Sequence, residues 1–185
     1  MKTNLTKSQV LGIVIAVIGS YLVANYDSLI PYRFKEFTSQ QGKFSVLMPG
    51  LPSSNDTEIG KDGQKQTIHS FTTQPRPHLV FSCAYIDLAS AVPDLQIETL
   101  LDNARDGAIK NVQGTFVKEL RLKVHGFPSR QFQAETRGGG YMDAKIVLVE
   151  NKFYMLMVVN TKGIRARDEA EVERFFSSFK TLVKT

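Results

Sequence analysis

The chain predicts an α/β (α+β) fold: a mainly antiparallel sheet sandwiched by helices, preceded by one N-terminal transmembrane helix. Three observations carry this. No charged residue falls between Lys7 and Asp27, so about 19 residues are apolar enough to cross a layer roughly 30 Å thick. Two later segments repeat apolar residues at helical spacing. The remaining periodic segments come as a strand group, a helix, a second strand group and a helix, an order that favours antiparallel pairing over singly alternating βα units.

The leader sets the domain organisation: residues 1–31 read as membrane anchor and linker, and residues 32–185 as one domain. Val10, Leu11, Ile13, Val14, Ile15, Val17, Ile18, Leu22 and Val23 supply the apolar surface. Tyr21 and Tyr26 stand where amphipathic rings favour the membrane interface. A cleaved signal peptide is the competing reading, but Leu22-Val23-Ala24 is a poor A-x-A site. A lipoprotein needs a cysteine directly after the run, and the only cysteine is Cys83. The run has no polar face, which disfavours an ordinary amphipathic helix. Lys2, Lys7 and the free amine precede the span, while Asp27, Arg33, Lys35 and Glu36 follow it without net bias. The positive-inside rule then puts the body on the non-cytoplasmic side of a cell or thylakoid membrane.

The body is long enough for one self-sufficient core. A single cysteine leaves no internal disulfide, so packing alone must hold it. The chain carries 23 Lys and Arg against 18 Asp and Glu, a net charge of +5, and these charges are interleaved. Nucleic-acid proteins concentrate such charge in a stripe or module, so no nucleic-acid partner is expected.

Along the body, Tyr32–Phe37 alternates as a half-buried strand. After the turn Gln40-Gln41-Gly42, Phe44, Val46 and Met48 share one face of a second strand, stopped by Pro49-Gly50-Leu51-Pro52. Residues 53–63 are polar and end in the turn signal Lys61-Asp62-Gly63. Gln66–Thr72 forms a strand that Gln74-Pro-Arg-Pro77 breaks, and Leu79–Ile86 returns as an apolar inner strand. Asp94 is the expected N-cap of a helix whose stripe is Ile97, Leu100, Leu101, Ala104, Ala108 and Val112, ended by Gly114. Phe116, Leu120, Leu122 and Val124 share one parity in the next strand, and His125-Gly-Phe-Pro128 turns the chain into Arg130–Ala134. Gly138-Gly-Gly140 makes a further turn. Ala144–Val149 and Phe153–Val159 form a hairpin through Glu150-Asn-Lys152. The second of these is apolar on both faces, so both sides of the sheet must be covered. A last helix is expected from about Ala166 to Leu182, burying Val172, Phe175, Phe176, Phe179 and Leu182.

Three segments resemble a known family. Glu36-Phe-Thr-Ser-Gln-Gln-Gly-Lys-Phe-Ser-Val-Leu-Met-Pro-Gly-Leu-Pro52 is similar to the opening of bacterial, notably cyanobacterial, domains of the PsbP/Mog-like superfamily. Val124-His-Gly-Phe-Pro-Ser-Arg-Gln-Phe132 resembles its "G-x-P-x-x-x-F" element. Val172-Glu-Arg-Phe-Phe-Ser-Ser-Phe-Lys180 resembles its closing "F-x-x-S-F" helix. The resemblance implies an antiparallel sheet between helices, in proteins that serve as extrinsic photosystem subunits, assembly factors or small-GTPase-binding proteins and are mostly non-enzymatic. The matched motifs are turns and core aromatics, so no binding residue carries over.

No reaction is legible. His69 and His78 lie on strands that a hairpin can bring together, and His125 is the third histidine, but no carboxylate or cysteine accompanies them at ligand spacing. Cys83 lies on an apolar strand, the setting of a buried inert thiol. No nucleophile elbow is present. Gly138-Gly-Gly140 lacks the lysine and helix start of a phosphate loop. Glu98, Asp102 and Asp106 share a helix face that could ligate calcium but reads as a solvated face. No catalytic, cofactor-binding or metal residue is therefore assigned. The expected role is a membrane-tethered, extracytoplasmic protein-binding or assembly module, non-enzymatic and acting on a membrane-protein partner such as a photosynthetic complex. The alternatives are a hydrolase with a dispersed site and a small-ligand carrier.

Overall fold

The computed structural model describes residues 32–59, 65–163 and 168–183. The anchor expected at residues 1–31, including Val10 to Val23, lies outside these. Among the described residues no helix is long and apolar enough to cross a membrane.

Among the described residues, ten strands and two helices follow in the order β1 (Phe34–Ser39), β2 (Phe44–Pro49), β3 (Ser53–Ile59), β4 (Gln66–Arg76), β5 (Leu79–Asp87), α1 (Asp94–Asn111), β6 (Thr115–Val124), β7 (Phe127–Glu135), β8 (Tyr141–Val149), β9 (Lys152–Asn160), α2 (Glu169–Ser177) and β10 (Lys180–Thr181). Every strand pair is antiparallel. They build two sheets, a seven-stranded one ordered β3-β4-β5-β9-β8-β7-β6 and a three-stranded one ordered β1-β2-β10.

The doubly apolar strand sits at the centre. On β9, Phe153, Met155, Met157 and Val159 face one core and Tyr154, Leu156 and Val158 the other. The first core is closed by α1 over β7 and β8, through Leu100, Leu101, Ala104 and Ala108. The second is closed by α2 and the small sheet, through Val46, Met48, Phe175 and Phe176. Phe44 is its hub, with the rings of Phe37, Phe71, Tyr85, Tyr154 and Phe179 at centroid distances of 5.8–6.2 Å. Such contacts add about 0.5–1.5 kcal/mol per aromatic pair to simple burial.

Five expectations are corrected. The strands do not form one sheet, because β1 and β2 pair with each other and with the C-terminal strand. The last helix stops at Ser177: Ser178 Oγ donates to the Phe175 carbonyl and accepts from Leu47 N–H at 2.9 Å, and Lys180 then pairs with Ser45 as β10. Phe179 is buried from this strand-like exit, whereas Leu182 is exposed. Gln74-Pro-Arg-Pro77 does not break β4; the strand shifts register between Thr73 and Arg76, and the turn falls at Pro77-His78. Pro75 has no N–H to lose at such a bulge. Asp94 is the first helical residue and Pro93 the N-cap, with no side-chain cap. Finally, a bulge between Phe116 and Lys118 splits the expected parity. Phe116 pairs with Ala134 and faces α1, while Leu120 pairs with Gln131 on the other face.

Candidate functional site

The large sheet ends at β6, and this edge carries the most unusual surface of the domain. β6 is ten residues long and leaves Phe116, Val117, Leu120 and Leu122 exposed, with Leu120 at 55%. Edge strands are ordinarily short, charged or covered. Lys118, Glu119, Arg121 and Lys123 interleave with the apolar residues, giving the strand a basic excess.

Glu119 offsets part of that excess, accepting from Arg121 Nε at 3.4 Å. On the α1 side it accepts from Arg105 Nη1 at 2.6 Å, and Arg105 also binds Asp102 at 3.3 Å and Asp106 at 2.8 Å. Arg130 on β7, its side chain only 3% exposed, pairs with Glu98 and lies 3.6 Å from both Asp102 and Glu119. Arg121 adds a contact to Glu98 at 3.2 Å. The hydrogen bond to Asp106, with that to Glu119, raises the Arg105 pKa beyond its ordinary value, outweighing desolvation. The acidic helix face is thus neither a calcium site nor simply solvated: its carboxylates are bonded to arginines of α1 and of the two outermost strands. This network pins α1 to β6 and β7 and holds the edge in place.

On the opposite face Leu120 reaches a cleft of about 260 Å³. Leu79, Val158 and Val172 give it apolar walls, and Lys118, Gln133, Asp143, Glu169 and Glu173 give it polar ones. Gln133 Nε2 donates to Asp143, while Gln133 Oε1 is buried without a partner. Ser129 Oγ is in the same state, and Arg130 Nε makes no hydrogen bond although Asp102 and Glu119 lie 3.6 Å away. Three of the four buried side-chain atoms without a hydrogen bond among the described residues thus lie on β7. Buried polar groups are nearly always satisfied, and the sheet is least complete next to its β6 edge. The lining of the cleft is mixed, with polar and apolar groups in similar share, unlike the predominantly apolar pocket of a small-ligand carrier.

Beyond the cleft, Lys145 donates to the Phe176 carbonyl at 3.1 Å, meeting the C-terminal end of α2. Desolvation lowers its pKa, and Glu173 opposes this.

The candidates for chemistry are dispersed. His69 Nδ1 donates to Asp56 at 2.8 Å and stacks 4.6 Å from Tyr85, whereas His78 sits in the β4–β5 turn. The hairpin therefore does not join them as a ligand pair, and His125 stands in the β6–β7 turn. Among the described residues no group of three or more His, Cys, Asp and Glu could hold a metal ion. Cys83 is fully buried, and burial pushes its thiol pKa up. Gly138-Gly-Gly140 forms the β7–β8 turn, and a Cβ on Gly140 would lie 2.2 Å from the Asn160 carbonyl, so this glycine serves close packing. The exposed edge was not legible in sequence, because apolar alternation on β6 looks the same whether or not another layer covers it.

No family model matches the chain, and no curated protein matches it. Among solved structures, the chain is similar to cyanobacterial PsbP (CyanoP) from Synechocystis sp. PCC 6803, with a TM-score of 0.59 at 9% identity over 86% of this chain and 98% of that one. A protein of unknown function from Pseudomonas aeruginosa aligns with a TM-score of 0.40 at 10% identity, over 76% of this chain and 92% of that one. The fold is PsbP-like.

Proposed function

We propose that this PsbP-like domain is a non-enzymatic protein-binding or assembly module, tethered to a membrane by Val10–Ala24 and displayed on its non-cytoplasmic side. The observation that carries the reading is the open β6 edge, with Phe116, Val117, Leu120 and Leu122 exposed. Its occupant is an extended segment of a membrane-protein partner that adds as a further antiparallel strand. Main-chain hydrogen bonds would supply affinity and alternate side chains specificity. Lys118 and Lys123 favour a partner segment with acidic residues between its apolar ones. The likeness to cyanobacterial PsbP supports a photosynthetic membrane complex as the setting.

The test is purification of the full-length protein from mild-detergent membranes, beside Leu120→Glu. Wild type should retain a stoichiometric membrane-protein partner that Leu120→Glu loses while keeping its circular dichroism spectrum. Equal retention by both proteins would remove β6 as the docking edge.

A further inference from the structure

We infer that the end of the domain at Tyr32 is itself a membrane-contacting surface: Leu51 dips into the interfacial region of an anionic bilayer, and Arg33 and Lys162 face the headgroups. This rests on the tether reading above and adds an orientation to it.

Seven residues, 25–31, separate the apolar run from Tyr32, a reach of at most about 25 Å when fully extended. Tyr32 is held firmly where the described chain begins. Its hydroxyl donates to Glu171, and the Arg76 guanidinium lies 5.2 Å from its ring centre. The adjoining turn, Pro49-Gly50-Leu51-Pro52, is fixed to the same point, because Gly50 N–H donates to the Arg33 carbonyl at 3.2 Å. Gly50 has φ of +100°, a conformation an L side chain rarely adopts, and this lets the turn project. At its tip Leu51 is 95% exposed. A rigid loop presenting a bare leucine beside a membrane tether is suited to interfacial insertion, where apolar groups settle about 5–10 Å deep.

The charges around this tip fit an anionic surface. Arg33 and Lys162 are exposed, and Arg137 projects from the neighbouring β7–β8 turn with one bond to Gln113. Asp168 and Glu171 are bonded to Arg76, and Asp168 also accepts from Asn160 Nδ2 at 2.6 Å. Glu36, Glu135 and Glu169 remain as exposed acids near this end. Each basic residue close to an anionic leaflet contributes attraction that decays within a Debye length.

The molecule contains its own control. Leu95 is 96% exposed at the start of α1, beyond the Asp87 end of β5, whereas the Tyr32 end lies by Leu79. The nine residues of β5 separate those ends by about 27 Å, far more than the interfacial depth.

The experiment places an environment-sensitive fluorophore on Leu51→Cys or Leu95→Cys in the full-length chain. Cys83 stays in place, since its buried thiol does not compete for label. The proteins are reconstituted in phosphatidylcholine vesicles with and without phosphatidylglycerol, carrying a headgroup-level nitroxide quencher. The expected result is a blue shift and quenching at position 51 only, strongest with phosphatidylglycerol and weakened by salt. Flotation of the chain with vesicles while position 51 stays unquenched would overturn the docked orientation and leave the tether standing. Quenching at both positions would also overturn it. Failure to float would overturn both readings.

Discussion

The two edges of the seven-stranded sheet have opposite surfaces. β3, Ser53-Ser-Asn-Asp-Thr-Glu-Ile59, is polar almost throughout and dressed with exposed pairs, Asp56 with His69 and Glu58 with Lys65 at 2.8 Å. β6 is longer, carries four exposed large apolar side chains, and is backed by the arginine–carboxylate network on α1. Edge strands are aggregation hazards that proteins normally blunt. β3 follows that rule along its length, whereas β6 follows it only through its charges and one bulge. The difference shows that the β6 surface is not a generic feature of the fold's edges.

The largest expected effect comes from removing the support beneath β6. Arg130→Ala should cost about 3 kcal/mol, the low end for breaking a buried pair, because Glu98 and Asp102 can return to water while Glu119 keeps Arg105. Chemical denaturation reads this directly, and a loss below about 1 kcal/mol would reduce the network to surface decoration. Next is Leu120→Glu, which should weaken partner binding by about 10- to 100-fold, the scale of an interface hot spot of 1.4–2.8 kcal/mol. Its folding stability should move by no more than about 0.5 kcal/mol, as at an exposed site.

Alkaline pH probes the strand pair behind β3. Desolvation, aided by Asp87 and Asp56, pushes the Tyr85 pKa up to about 12 from 10.0. The folded state therefore holds its proton longer than the unfolded state, and the resulting stability is full below pH 10 and lost between pH 10 and about 12. Tyr85→Phe should make that part of the stability profile shallower, the remaining slope coming from Tyr32, Tyr154 and Cys83, whose pKa values burial also raises, and an unchanged slope would contradict the assignment. The smallest effect is expected from Asp56→Ala on the β3 edge: a change within about 0.5 kcal/mol and undiminished partner capture.

Much of the fold was legible because local pattern and burial agree. The α1 stripe, the doubly apolar β9 and the turns at Pro49–Pro52 and Gly138–Gly140 all lie where periodicity and backbone chemistry put them. The misreadings share a cause in long-range pairing. Phe175, Phe176 and Phe179 fit a helical stripe, yet Ser178 binds β2 and Phe179 leaves the helix just ahead of β10. Phe116 and Leu120 appear equivalent until the bulge divides them. Whether Leu120 was covered depended on which strand ended the sheet, and no residue of β6 encodes that order. The arginine network was equally hidden, since Arg130 and Glu98 are 32 residues apart.

The central claim is tested most directly by site-specific photocrosslinking in native membranes, with benzoylphenylalanine at position 120 of β6 or position 57 of β3 in the full-length chain. The account predicts one discrete membrane-protein adduct from position 120 and none from position 57. An adduct from position 57, or none from position 120 under conditions where the partner co-purifies, would contradict it.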